Sequence, residues 1–275
     1  MTANPLPKPL TIGVFDSGFG GLTVLRELLH LIPNARFIYL GDTARLPYGS
    51  KSQATIARYA ISSTQFLLDQ GADLLVIACN TATALAINNI RSVAGPVPVI
   101  GVIDPGTQAA FAADPSGHVL VLATAATVHS EAYSQAIHSL RITCTEKACP
   151  LLVPLVEEGW TDHPVTAEVA RIYLSEALAI APEASTLLLG CTHYPLLKSL
   201  LSKALHSLHH PLKIIDSAYA TAQAVLAHLP ASPPLADQPQ PLTVFATDSV
   251  EKFERLGPQF LGRSLPVVTL VDLGG

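Results

Sequence analysis

The feature that most constrains the fold is a pair of matched segments, Leu75-Val-Ile-Ala-Cys79-Asn-Thr and Leu187-Leu-Leu-Gly-Cys191-Thr-His, with their cysteines 112 residues apart. Each is a short apolar run that ends in a cysteine and passes into small polar residues suited to start a helix. Runs that are apolar at every position fit strands buried on both faces, the condition of a parallel sheet covered by helices. The first strand-like run, Ile12 to Asp16, has a partner in Leu120 to Thr124 at an offset of 108. Two similar offsets predict two related α/β halves.

The rest of the chain alternates in the same way. A strand at Leu10 to Phe15, a helix at Leu22 to Ile32 and a strand at Phe37 to Leu40 read as a βαβ unit. Ile56, Tyr59, Ala60 and Leu67 mark a helix behind a Ser50-x-x-Gln53 capping box, and Gly71 ends it before a strand at Leu74 to Ala78. Further strands are expected at Val97 to Gly101, His118 to Ala123 and Thr186 to Gly190. After the Pro-rich loop Pro230 to Pro241 come two more, at Leu242 to Ala246 and Val267 to Val271. The class is doubly wound α/β with mainly parallel sheets.

Composition narrows the function. Of 275 residues 49% are hydrophobic and 13% charged, enough apolar material for a sizeable core. A net charge of −5 argues against a broad electrostatic grip on nucleic acid or anionic lipid and favours a small-molecule ligand. No apolar run reaches the roughly 18 residues that span a bilayer, and Met1 to Pro9 lacks the regions of a signal peptide, so a cytoplasmic location without membrane attachment is expected. Four cysteines are too few for a disulfide scaffold in a chain of this length. Each is core filler, metal ligand or reactive group.

Cys79 and Cys191 fall at the carboxyl edge of a parallel sheet, where ligands bind. Asn80 or Thr81 can cap the first following helix, and Thr192 the second, which has Pro195 in its first turn. Helix starts there would bind carboxylates and favour thiolate over thiol. A pair of structural strand-end cysteines is the competing reading. Asp16-Ser-Gly-Phe-Gly-Gly-Leu-Thr lacks the Lys-Ser/Thr ending of a Walker loop and has Thr23 where the dinucleotide fingerprint has Gly or Ala, so a nucleotide is not expected. Asp16 is left at the sheet edge, as an acid/base group, an ammonium ligand or a simple N-cap. Gly41 to Ser50 is a loop dense in hydrogen-bonding groups, functional or an ordinary turn. His193 can orient a carboxylate or tune a thiol, and Glu158 can support it if the fold joins them; otherwise Glu158 is solvated. His206, His209 and His210 share a helical face but lack matching carboxylates or thiols, and Cys144 and Cys149 lack a second pair, so no metal is expected.

Taken together these motifs resemble the glutamate racemases of bacterial cell-wall synthesis, within the aspartate/glutamate racemase superfamily. The resemblance rests on Asp16-Ser-Gly-x-Gly-Gly, Leu46-Pro-Tyr-Gly, Ala78-Cys-Asn-Thr-Ala, Ala123-Thr-Ala-Ala-Thr-Val-x-Ser, Pro154-Leu-Val-Glu-Glu-Gly and Gly190-Cys-Thr-His-Tyr-Pro-Leu-Leu, in that order. Phe19, and Ala123 where glycine is expected, depart from the pattern at positions that bear on packing. The resemblance implies a discontinuous first domain of residues 1–97 and 208–275 and a second of residues 98–207, with the substrate between them. It makes Cys79 and Cys191 the two catalytic bases, assisted by Asp16 and His193, with Glu158 behind His193. It gives Ser17, Tyr48, Gly49, Asn80, Thr81, Thr124, Thr127 and Thr192 to the substrate's carboxylates and ammonium, together with Asp16 and His193. Inverting a stereocentre needs one base to remove the α-proton and an acid to return one on the other face, which two thiols supply without a cofactor. A racemase for aspartate or another small acidic substrate, a one-cysteine hydrolase or lyase, and a non-catalytic carboxylate-binding protein are the rivals. A homodimer is expected from the resemblance alone.

Overall fold

A computed structural model describes residues 9–229 and 241–274. The loop expected at Pro230 to Pro241 lies almost wholly outside the described residues. The chain opens with strand β1 (Thr11–Asp16), helix α1 (Leu22–Leu31), β2 (Arg36–Gly41), α2 (Gln53–Asp69), β3 (Leu74–Ile77), α3 (Asn80–Ala94) and β4 (Val99–Gly101). It continues with α4 (Ile103–Ala113), β5 (His118–Ala123), α5 (Ala125–His129), α6 (Ala132–Ser139), β6 (Thr143–Ala148), α7 (Leu152–Glu157) and α8 (Pro164–Ile180). Next come β7 (Ala184–Gly190), α9 (Lys198–Ser207), β8 (Lys213–Asp216), α10 (Ser217–His228), β9 (Leu242–Ala246), α11 (Val250–Leu261) and β10 (Val268–Leu270).

The strands form two sheets, in the orders β10-β9-β2-β1-β3-β4 and β6-β5-β7-β8, and every pairing is parallel. Four consecutive strands of the first sheet, β2-β1-β3-β4, are repeated in order by the second. β1 corresponds to β5 and β3 to β7, so the offsets of 108 and 112 mark a true structural repeat. Both central pairs are buried along almost their whole length, as their largely apolar sequences require.

Two edge strands mark where the chain passes from one sheet to the other. β4, within the strand expected at Val97 to Gly101, joins the first sheet through Leu75↔Val99. β8, for which no strand is expected, joins the second through Leu187↔Ile214. By sheet membership, the chain leaves the first sheet after Gly101 and leaves the second after Asp216. β8 has four residues, one exposed and three half-buried, so its apolar signal is too weak to read alone. The cap of α2 also moves: Ser52, not Ser50, accepts from the Thr55 backbone N–H at 3.4 Å. Gly71 follows that helix with φ of 83°, a conformation that favours glycine.

Candidate active site

The Cys79 and Cys191 thiols border a single cavity of about 350 Å3 between the carboxyl edges of the two sheets. Every other site residue expected from the sequence borders it as well, except Asp16 and Thr127, which stand behind the wall. Thr127 reaches it through the hydroxyls of Thr81 and Thr124, at 3.2 and 2.9 Å, while Thr81 and Thr124 are 3.0 Å apart. This trio, built from both halves, presents hydroxyl donors that an anionic ligand can claim.

Cys79 is itself the N-cap of α3, the place expected for Asn80 or Thr81. Its Sγ accepts from the Ala82 N–H at 3.4 Å and donates to Ser17 Oγ at 3.5 Å. The Ala82 N–H, and the Ser17 hydroxyl once it turns to donate to the ionised sulfur, act to lower the thiol's pKa, as a helix start should. They lose to burial and to the nearby Asp16 charge, which push it up to about 12. Asp16 is fully buried, and burial raises its pKa too, against the His193 charge and the Gly18 and Gly21 amides. Its Oδ2 accepts from the Gly18 N–H at 2.9 Å, while its Oδ1 has no hydrogen-bond partner.

Cys191 has a different setting. The chain after it enters a single 3-10 turn, Tyr194–Leu197, whose first residues include Pro195, so Thr192 does not cap a helix. His193 Nδ1 lies 3.9 Å from Cys191 Sγ, and its Nε2 lies 3.2 Å from Glu157 Oε1. Burial works against the imidazolium, but the hydrogen bonds and charges of Cys191 and Glu157 outweigh it and raise His193 to about 10. Glu157 is held below the usual carboxylate range: burial acts upward, while His193 and Lys252 pull harder downward. The expected partner, Glu158, caps the end of α7 and stays exposed on the cavity rim. Adjacent glutamates differ by about 100° around a helix axis, and only Glu157 turns toward His193.

The halves meet closely here. Thr23 Oγ1 donates to the Thr192 carbonyl at 3.1 Å, and Asn80 Nδ2 donates to Tyr133 Oη at 2.7 Å. A Cβ on Gly20 would lie 2.1 Å from Thr192 Oγ1 and 2.6 Å from His193 Nδ1, so glycine is required for this approach. Tyr48, whose ring borders the cavity, donates to buried Asp42, which also accepts from Thr247 Oγ1 at 2.9 Å. Sequence reasoning missed Glu157, Asp42, Tyr133 and Lys252. Glu157 lies beside the residue expected in its role, Asp42 lies within the Gly41 to Ser50 loop without having been singled out there, and Tyr133 and Lys252 become neighbours of the site only through long-range folding. Among the described residues no cluster of three or more His, Cys, Asp and Glu side chains gathers to hold a metal, and no helix is long and apolar enough to cross a membrane.

Two parallel-sheet halves joined over a pair of buried thiols, one beside a carboxyl and the other beside an imidazole, define the class: an α/β enzyme with a two-thiol acid–base site. The chain belongs to the Asp/Glu/Hydantoin racemase family, whose model matches residues 12–225. It is 52% identical to the glutamate racemase of Koribacter versatilis, covering 96% of this chain and 98% of that protein. Among solved structures, glutamate racemase from Francisella tularensis in complex with D-glutamate is 36% identical with a TM-score of 0.88, covering 96% of this chain and 98% of that one. The Thermus thermophilus glutamate racemase in complex with beta-chloro-D-alanine is 40% identical with a TM-score of 0.85, covering 97% and 99%.

Proposed function

We propose that this protein interconverts L- and D-glutamate by moving the α-proton between two thiols, Cys79 and Cys191, and so supplies D-glutamate for peptidoglycan. The observation that carries the reading is that both cysteines, at equivalent places in a repeated fold, border one cavity. Cys79, pushed up to about 12, makes a strong base once ionised, which a weakly acidic α-carbon demands. Asp16 beside it and His193 beside Cys191 are the groups through which protons reach and leave the thiols. Ser17, the start of α3 at Asn80 and Thr81, the Thr124 hydroxyl backed by Thr127, Thr192 and the Tyr48–Gly49 turn supply donors for the two carboxylates. Donors aimed at the α-carboxylate stabilise the charge that grows there in the transition state. No organic cofactor takes part.

The close relatives named as glutamate racemases, and the D-glutamate in the Francisella structure, favour glutamate over aspartate. The two sheets, with their helices, act as two domains that close on the substrate. A homodimer and a cytoplasmic location complete the reading.

Incubation with L-glutamate in D2O, followed by optical rotation and by α-carbon deuterium, tests it. Rotation should decay as deuterium enters. Cys79→Ser and Cys191→Ser should each abolish racemisation while leaving one-sided α-proton exchange partly alive. Full racemase activity in either variant would sink the two-base scheme, and a trapped acyl-enzyme would replace it with a one-thiol hydrolase.

A further inference from the structure

Behind His193 the structure holds a chain of groups that ends on the other half of the molecule. Glu157 uses one carboxylate oxygen on each side: Oε1 faces His193 Nε2 at 3.2 Å, and Oε2 accepts from Lys252 Nζ at 2.8 Å. Glu157 sits on α7, beside the second sheet. Lys252 sits on α11, which packs against α1 and β10 of the first. The same helix lays Phe260 edge-on against the His193 ring, with centroids 5.2 Å apart, and Gln259 Nε2 donates to Thr161 Oγ1 at 3.2 Å. Lys252 Nζ is further seated 5.4 Å above the ring of Phe19, which itself packs on Phe253 at 5.2 Å. Phe19 occupies the open position of Asp16-Ser-Gly-x-Gly-Gly.

We infer that Lys252 is a positioning residue for racemisation: from the first half it fixes the Glu157 carboxylate so that Glu157 holds His193 in place and protonated beside Cys191. The inference rests on the two-thiol reading above. This ion pair is not a solvated surface contact, because the Glu157 side chain is only 14% exposed and that of Lys252 34%. A carboxylate so sheltered depends on its partners to stay ionised. The charged and titratable groups around it are His193 on the turn after β7, Lys252 on α11, the more distant Asp16 at the end of β1, and Cys191 beyond the imidazole. Of these His193 and Lys252 draw the carboxyl pKa down, and burial opposes both. Without Lys252 the carboxyl takes a proton at higher pH, and a neutral Glu157 releases His193. Geometry adds a second effect, since a carboxylate freed at Oε2 can rotate away from the ring. Because α11 belongs to one half and α7 to the other, the alignment is complete only when the halves are together.

The test compares wild type, Lys252→Met and Lys252→Arg in glutamate racemisation across pH, in both directions. Lys252→Met should lower kcat about tenfold, the size of one charge-assisted hydrogen bond, and move the acidic limb of kcat/KM to higher pH by at least about half a unit. Lys252→Arg should restore the limb. In a Glu157→Gln background Lys252→Met should cost no further activity, because the group it acts through is gone. If Lys252→Met melts below assay temperature, Lys252→Gln removes the charge while keeping a polar end and carries the same expectation for the acidic limb. A limb that stays in place, an arginine that fails to restore it, or a full further loss in the Glu157→Gln background overturns the inference. A wild type that does not racemise glutamate overturns the functional reading instead.

Discussion

At the scale of single residues, His193 departs from ordinary solution chemistry in a way that reaches the stability of the fold. Folding raises it from 6.5 to about 10, because the hydrogen bonds and charges of Cys191 and Glu157 outweigh burial. Between those values the folded chain keeps a proton that the unfolded chain has released, so stability must fall as pH rises. The contribution is whole below about pH 6.5 and is lost as pH climbs through about 10. Melting temperature measured between about pH 6.5 and 8.5, below the range where unfolded thiols titrate fully, should therefore decline in the wild type and decline less in His193→Asn. Parallel slopes would mean that the folded imidazole is neutral. The sequence can name His193 because it stands two residues past Cys191. It cannot separate Glu157 from Glu158, since the pair differs only in which way a short helix turns them. Nor can it reveal that burial reverses the expected effect of a helix start on Cys79, because burial is a property of the assembled halves.

At the scale of elements, strands that carry an apolar run are legible in the sequence, edge strands β4 and β10 included, and strands of polar or mixed sequence such as β6 and β8 are not. The apolar runs at His118 to Ala123 and Leu242 to Ala246 coincide with β5 and β9. β6, Thr-Cys-Thr-Glu-Lys-Ala, reads as polar because it is an outer strand with one side open, and its partner β5 supplies the order it lacks alone. Helix starts are legible in kind but not in residue, and the clearest case gives Cys79 a second duty as the cap of α3. That duty separates chemistry from folding. Cys79→Ser keeps a good cap acceptor for the Ala82 N–H and should melt with the wild type, whereas Cys79→Ala loses it at a cost of about 1 kcal/mol, or about 2–4 °C. If Cys79→Ser is catalytically dead yet melts normally, its defect is chemical. A large drop in its melting temperature would show that the thiol's role in the fold cannot be set apart from its role in the reaction.

At the scale of the whole molecule, a repeated four-strand unit places one cysteine at each of two sheet edges, and the spacing of the two matched segments is enough to reveal it. The contacts that bring the edges together leave no such trace, because each joins residues far apart in sequence: Thr23 with Thr192, Asn80 with Tyr133, and Lys252 with Glu157. The Asn80–Tyr133 bond is buried, and Tyr133 is fully enclosed within the second half. Tyr133→Phe would remove the hydroxyl with little change in packing and leave the Asn80 amide without that partner, a loss of about 1–3 kcal/mol that falls on the joined state. If joining the halves is needed to bind substrate, KM should rise several-fold while kcat, set once the halves are together, changes less. Enantiomers have equal free energies, so kcat/KM must be the same from L to D and from D to L in every variant. The fall caused by Tyr133→Phe must therefore appear equally in the two directions, although Cys79 and Cys191 sit in unlike surroundings. Initial rates measured with each enantiomer decide the matter: an unchanged KM with a reduced kcat would place Tyr133 in the proton-transfer step, next to Cys191, and remove it from the closure of the halves.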